Sequence, residues 1–312
     1  MRIYRSWEGL PDDARGAAAA LGNFDGVHLG HQAVIALAAA EAGRRGVPSG
    51  VVTFEPHPRQ FFAPDAPPFR LMNAEARASR MAKLGVGALY VLPFDARLAG
   101  MEPGRFVAEV LRDGLGLAHV VVGRDFRFGK ARAGTAADLA RLGAEADIGV
   151  TLADLVAEGG EEVSSTAIRQ ALSEGRPRDA ARMLGHWHRI EGTVRGGDRR
   201  GRTIGYPTAN LSIDNLHPPR FGIYAVKADV LDGPHKGSYL GAASVGVRPM
   251  FDGVVPNLET FLFDFSGDLY GAHLSVALVE YLRPEAKFDS LEALVAQMDA
   301  DCARARAILA AL

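Results

Sequence analysis

Short, continuously apolar runs alternate with longer stretches of helical spacing through residues 1–185. The runs are AAAALGNF (17–24), GVVTFEP (50–56), GALYVLPF (87–94), HVVVG (119–123) and GVTLADLV (149–156). Unbroken hydrophobicity marks strands covered on both faces. Helical patterns lie at 31–45, 73–84, 103–115, 135–144 and 165–174. Strand–helix alternation of this kind predicts a doubly wound α/β domain with a parallel sheet over 1–185. The pattern then changes. HRIEGTVRG (188–196), GIYAVKADVL (222–231), SYLGAASVGV (238–247), LETFLFDF (258–265) and AHLSVALVEYL (272–282) are β-rich and separated by Gly, Pro, Asp and Asn clusters. A helical stretch comes only at 290–312. Residues 186–312 therefore read as a small antiparallel β-barrel with a C-terminal helix.

The length of 312 residues supports two cores better than one. Apolar residues at 48% and charged residues at 23% are globular proportions, which argues against wholesale disorder. A net charge of −2 supplies no basic field for a polynucleotide but does not hinder binding a mononucleotide. The single cysteine, Cys302, excludes an internal disulfide and a multi-cysteine zinc site, and its Ala-rich surroundings predict a buried structural thiol. The N-terminal sequence is charged where a signal peptide would be apolar, and no stretch approaches the roughly 18 apolar residues of a membrane span. These features predict a cytoplasmic protein, with neither membrane nor nucleic acid as partner and no obligate protein partner indicated.

Candidate chemistry begins at GNFDGVHLGHQ (22–32), which follows the first strand and opens the first helix. A helix N-terminus after a glycine turn offers free N–H groups and positive dipole to a phosphate. Gly22, Asn23, Phe24 and Gly30 frame that turn. His28 and His31, three residues apart, share a face and can donate hydrogen bonds as charge grows at phosphorus, unless both are packing histidines. A second anion site is predicted at EEVSSTAIRQAL (161–172), where Ser165 and Thr166 start a helix and Arg169 offers a planar donor; a plain cap with a solvated Arg is the alternative. In a parallel sheet, helix N-termini gather at one edge, so both segments are expected around one triphosphate. FEPHPRQFF (54–62) presents Phe61 and Phe62 in a Pro-rich loop, either as core aromatics or as an apolar floor for a flat ring. His57, between two prolines, reads as structural. In VVGRDFRFGKARAG (121–134), Asp125 is a candidate to orient a bound ribose, adenine or flavin, with a surface charge run as the alternative.

TVRGGDRRGRTIGYPTANL (193–211) nearly matches a Walker loop, with Arg202 where Lys belongs. Gly205-Tyr206-Pro207 cannot continue the helix that loop requires. What remains is a glycine-rich flap between strands, or a turn-rich hairpin. As a flap it brings Gly201 and Arg202 to phosphates, with Thr208 and Asn210 as hard oxygen ligands suited to Mg²⁺. Glu259, in an apolar β pattern, is either an outward-facing strand residue or a base that takes a proton from an attacking alcohol.

His28-Leu29-Gly30-His31 and Val163-Ser164-Ser165-Thr166-Ala167-Ile168-Arg169 resemble the paired signatures of the nucleotidylyltransferases. Together with FEPHPRQFF and VVGRDFRFGKARAG, in this order, they resemble the bacterial FAD synthetase module over 15–175. That resemblance implies ATP lying over the histidines and FMN attacking its α-phosphate with release of pyrophosphate. GRTIGYPTANL and the later Glu259 resemble riboflavin kinase over 185–305. This implies a six-stranded barrel, Thr208 and Asn210 as magnesium ligands, and Glu259 as base. Tyr206, Ser244, Met250 and Phe261 stand where that family often has Phe, Asn, Thr and His; the proposed ligands and base are unaffected. The whole resembles the bifunctional riboflavin kinase/FMN adenylyltransferases, which implies riboflavin, FMN and ATP as substrates and Mg²⁺ at each site. An adenylyltransferase with a flavin-binding or regulatory barrel is the alternative. An RNA-directed enzyme ranks last, since SSTAIR stands where a Lys-rich loop would be needed.

Overall fold

The structure is a computed structural model that describes residues 1–154, 157–158, 161–196, 205–250 and 253–312. By contacts the chain forms two compact units, Met1–Ala66 with Arg77–Val163, and Pro67–Ala76 with Ser164–Leu312.

The first unit is built on β1 (Arg2–Tyr4), β2 (Ala18–Leu21), β3 (Ser49–Glu55), β4 (Ala88–Pro93), β5 (His119–Gly123) and β6 (Gly149–Ala153). Their spatial order is β1-β4-β3-β2-β5-β6, and every neighbouring pair is parallel. The apolar runs are strands for the reason their composition suggests. Ala17, Ala19, Leu21, Val52, Leu92 and Val122 join one core with Phe106, Val110, Leu111 and Leu139. The intervening Ala18, Ala20, Val51, Leu89 and Val121 are buried as well, and α1 (Leu29–Arg45) packs on β2, β3 and β5. Gly46 ends α1 in the left-handed region, and Arg44 and Arg45 sit on its negative end. FEPHPRQFF departs from expectation: it forms a one-turn helix, α2 (Pro58–Phe62), with Pro at its first position and His57 as its cap. The stretch predicted helical at 103–115 starts as Pro103–Arg105 and continues as a π-helix over Phe106–Gly114. From β2 the chain winds through β3 and β4 on one side, while β5 and β6 lie on the other. The sheet thus changes direction between β2 and β5, the position at which open α/β sheets bind their ligands beyond the strand ends.

The second unit contains α5 (Ser165–Ser173), α6 (Pro177–Leu184) and a six-stranded sheet; α3 (Ala74–Lys83) and α4 (Ala136–Glu145) precede them in the chain. Leu71, Ile168, Ala171, Leu172, Ala180 and Leu184 form a small core of their own. The sheet strands are β7 (Arg189–Thr193), β8 (Thr208–Ser212), β9 (Gly222–Val230), β10 (Gly237–Met250), β11 (Gly253–Leu262) and β12 (His273–Arg283). They pair antiparallel in the order β7-β12-β9-β10-β11-β8. A bridge between Arg195 and Asn210 joins the two ends, so the barrel is nearly closed. Alternation then sorts the side chains. Leu211, Tyr224, Val226, Val245, Leu258 and Val276 fill the interior. Ala225, Ala242, Val279 and Leu282 point outward and are covered by Ala305 and Leu309 of α7 (Leu291–Ala310).

His188, next to β7, is 3% exposed, and burial, assisted by His186 and His217, pushes its imidazole down to about 3. It is neutral in the folded chain but takes a proton near 6.5 once exposed. Because the folded-state value is depressed, the stability this group secures is complete above pH 6.5 and declines as pH falls toward about 3. The difference in thermal midpoint between wild type and His188→Gln should therefore shrink from pH 7.5 to pH 5. An unchanged difference would show that His188 titrates normally.

Candidate active sites

The turn that leaves β2 is built from backbone conformations that most residues avoid. Phe24 has φ 54°, Gly26 87° and Val27 45°. A β-branched residue at such an angle is strained, typically by about 1–3 kcal/mol, and persists only where its surroundings hold it. Phe24 and Val27 are 1% and 0% exposed, and the Val27 carbonyl accepts from Gln32 Nε2 at 2.9 Å. The Asn23 carbonyl accepts from Thr53 Oγ1 at 3.1 Å and from Arg77 Nη1 at 3.3 Å. The turn delivers His28 as the N-cap of α1 and His31 into its first turn. Their rings stack at 3.6 Å between centroids, and the Phe24 ring meets His31 edge-on at 5.2 Å. His28 Nδ1 accepts from the His31 backbone N–H at 3.3 Å, which leaves the ring proton on Nε2 as a donor. Burial, with the neighbouring His28, holds His31 well below the ordinary imidazole range, so it works as a neutral ring. Its Nδ1 is buried without a hydrogen-bond partner among the described residues. Gly30 is small by need: a Cβ there would lie 3.2 Å from His28 Cε1 and Nδ1.

Asp125 is exposed in the segment after β5, at the far side of the same strand switch, with Oδ1 folded over Gly123. Phe61 and Phe62 pack edge-on against each other at 5.2 Å, and each packs against Phe94, at 5.5 and 5.8 Å. Phe62 is 65% exposed, so one flat apolar face remains in solvent. In the second unit Ser164 caps α5 by accepting from Ala167 N–H at 3.2 Å, with Ser165 half-buried and Thr166 exposed in its first turn. Arg169 donates from Nε to the Phe69 carbonyl at 2.6 Å and lies over the Phe69 ring. Gly201 and Arg202 lie outside the described residues.

On the barrel, register supplies what sequence order hides. Asn210 pairs with Glu259 across β8 and β11, and Glu259 pairs with Ser244 across β11 and β10. These three side chains form one row on the outer wall, with Thr208 and Phe261 in the next row on the same face. Asn257 Nδ2 donates to Asn210 Oδ1 at 2.9 Å and lies 3.5 Å from Glu259 Oε1. A cleft of about 250 Å³ lies between this wall and α7, bounded by Thr208, Ser244, Glu259 and Phe261 on one side and by Met298 and Cys302 on the other. Cys302 is half-buried rather than fully buried, and burial pushes its thiol up to about 11, so it stays protonated. Arg283 grips Asp301 of α7 through both carboxylate oxygens at 2.6–3.0 Å, and Tyr206 donates to Asp299. Both contacts hold the helix over the cleft. Sequence reasoning missed Asn257, whose signal was its place two residues before Glu259 on the same strand face. It also missed Thr53 and Arg77, which carry no local signature.

Both halves have known relatives. Residues 10–167 match the FAD synthetase family and residues 184–309 the riboflavin kinase family. A bifunctional riboflavin kinase/FMN adenylyltransferase of Pseudomonas fluorescens is 42% identical over 99% of this chain and 98% of its own length. The Escherichia coli protein of the same description is 39% identical over 98% and 97%. A solved Streptococcus pneumoniae structure, described as a macrolide-efflux protein, superposes with a TM-score of 0.82 at 32% identity over 96% of each chain. Fold and sites thus define a two-unit flavin nucleotide transferase. The chain belongs to the bifunctional riboflavin kinase/FMN adenylyltransferase family.

If Glu259 is the kinase base, Glu259→Gln should lower riboflavin phosphorylation by roughly 10²–10⁴-fold, the usual contribution of a general base. FMN adenylylation should stay within a few-fold of wild type. Initial rates of FMN formation from riboflavin check this, and a normal rate in the variant removes Glu259 from the mechanism.

Proposed function

We propose that the two reactions of this family are divided between two residue sets, with a boundary at 185/186. The chain phosphorylates riboflavin to FMN and adenylylates FMN to FAD, with ATP as co-substrate of each step. In this reading residues 1–185 carry the adenylylation and residues 186–312 the phosphorylation.

The observation that carries the first assignment is the stacked His28–His31 pair on the N-terminus of α1, with a buried His31 nitrogen that lacks a partner among the described residues. A phosphate oxygen of FMN attacks the α-phosphorus of ATP, a P–O bond forms, and pyrophosphate leaves. Imidazole N–H donors and the backbone N–H groups of the turn, at Asn23, Phe24 and Gly30, meet the charge that grows on the phosphoryl oxygens. The Gly22 N–H is instead spent on the Val52 carbonyl at 3.1 Å, so Gly22 only frames the turn. Ser165, Thr166 and Arg169 bind phosphate of ATP in this reading, which rests on their motif. Phe61 and Phe62 offer the flavin ring an apolar face, and Asp125 a hydrogen-bond acceptor.

For the kinase step the support is the Asn210–Glu259–Ser244 row. The terminal hydroxyl of riboflavin gives its proton to Glu259 while its oxygen attacks the γ-phosphorus, and ADP leaves. Thr208 and Asn210 present neutral hard oxygens, and Asn210 Oδ1 is oriented by Asn257. Such a donor set fits Mg²⁺ that arrives with nucleotide phosphates, better than a dedicated protein cage would. Bound there, Mg²⁺ would neutralise phosphate charge. Gly201 and Arg202 complete the proposed phosphate contacts. No helix among the described residues is long and apolar enough to cross a membrane. We assign the reactions to the cytoplasm, where ATP is supplied.

His31→Ala should lower FAD formation by roughly 10²–10³-fold, the cost of one donor to a charged transition state, with turnover affected more than ATP binding. Arg169→Ala should weaken both turnover and ATP affinity. In each variant FMN should accumulate from riboflavin, as followed by chromatography of both products. Unimpaired FAD formation, or equal loss of FMN and FAD in a folded protein, contradicts the assignment.

A further inference from the structure

Arg77 is among the largest fully buried side chains of the protein, at 1% exposure. A buried cation is a costly way to fill a core, and replacing such ion pairs by apolar groups is often neutral or stabilising. The contacts of Arg77 point to another use. Nη2 binds Glu55 Oε2 at 2.8 Å, at the end of β3, and Nη1 reaches the Asn23 carbonyl at 3.3 Å. Thr53, on the same strand and 0% exposed, donates to the same carbonyl at 3.1 Å. Asn23 opens the strained turn through Phe24 and Val27 that ends at the stacked histidines. Two donors on one carbonyl fix the orientation of that peptide, and Glu55 fixes the guanidinium. The far end of the turn is held separately by Gln32 on the Val27 carbonyl.

We propose that Arg77 is a positioning residue for adenylyl transfer: anchored by Glu55, it acts with Thr53 to lock the Asn23 peptide and so aims the turn and His28–His31 at the reacting phosphate. Such a residue touches no substrate. It acts through geometry, and a misplacement of about 1 Å in a reacting constellation costs on the order of 10²-fold. Its loss falls on turnover more than on substrate binding, because aimed donors count most in the transition state.

The experiment uses the full chain and four variants: Arg77→Met, Arg77→Lys, Arg77→Met with Glu55→Leu, and Thr53→Val. Each is assayed for adenylylation (kcat and KM for ATP and FMN), riboflavin phosphorylation and thermal midpoint. Arg77→Met should lower adenylylation kcat by roughly 10- to 100-fold, with KM values within about threefold and phosphorylation within about twofold. Arg77→Lys, which keeps the charge but loses the two-pronged reach, should recover part of that loss. The paired variant removes both partners of the ion pair, the buried Arg77 and the half-buried Glu55, and should regain thermal stability without regaining kcat. A residue that merely fills and balances the core would regain both, and that result overturns the proposal. So does a kcat within twofold of wild type in Arg77→Met. If Arg77→Met does not fold, Thr53→Val decides, with about a threefold or larger fall in kcat expected in a protein that stays folded at the assay temperature, its thermal midpoint lowered by the loss of one buried hydrogen bond; no fall overturns the proposal. The inference rests on the turn being the triphosphate site. Failure of that reading appears as full activity in His31→Ala, whereas failure of this inference leaves His31→Ala crippled and Arg77→Met active.

Discussion

A β-sheet has only two places for polar chemistry: the strand ends, where backbone groups lack ladder partners, and whichever face is not committed to the core. That constraint shapes both halves of this chain. In the first unit both faces of the sheet are mostly apolar and covered, so the candidate site residues are driven to the strand ends. There the reversal of direction between β2 and β5 sends two neighbouring loops apart, the arrangement in which open α/β sheets bind ligands. His28 and His31 follow β2, and Asp125 follows β5. In the barrel the interior is filled by one alternating set of side chains. The other set is left to the outer wall, where Asn210, Glu259 and Ser244 stand in a row. The helix α7 covers part of that wall and leaves a cleft beside the row.

Both sites depend on polar groups withdrawn from water, and in each the partners explain how. The Asn23 peptide is satisfied twice, by Thr53 and Arg77, which fixes it more firmly than one donor would. Asn210 is 6% exposed, and its side-chain oxygen accepts from Asn257, which fixes the direction of its remaining lone pair. The Arg283–Asp301 pair ties α7 to the end of β12 through a two-pronged contact. These groups add little net stability after desolvation, but they restrict conformation, which is what a reacting geometry requires.

Much of this was legible from residue order, and what was not has a physical reason. AAAALGNF, GVVTFEP and HVVVG are strands because no face is left for polar residues, so their composition announced them. Thr208–Ser212 did not announce itself as a strand. Its TANLS sequence turns Thr208 and Asn210 to the outer wall, where a polar residue looks the same as one in a loop. PRQFF read as a loop because of its prolines, yet Pro58 sits at the one helical position that tolerates it. Glu259 was recognisable by type, but its row with Asn210 and Ser244 exists only through register, which pairing sets and spacing does not. Arg77 lay inside a correctly expected helix with no motif around it. Its meaning comes from Glu55 and Asn23, which are distant in sequence.

The central claim is that two independent sets of residues perform two consecutive reactions, linked by FMN. Complementation tests it most directly. His31→Ala and Glu259→Gln proteins are each supplied with riboflavin, ATP and Mg²⁺, alone and mixed, and FAD is quantified over time. Little FAD is expected from either protein alone and sustained FAD from the mixture, because FMN made by the first is adenylylated by the second. A mixture that forms FAD no faster than the two proteins separately, while wild type does so under the same conditions, would contradict the division into two sites.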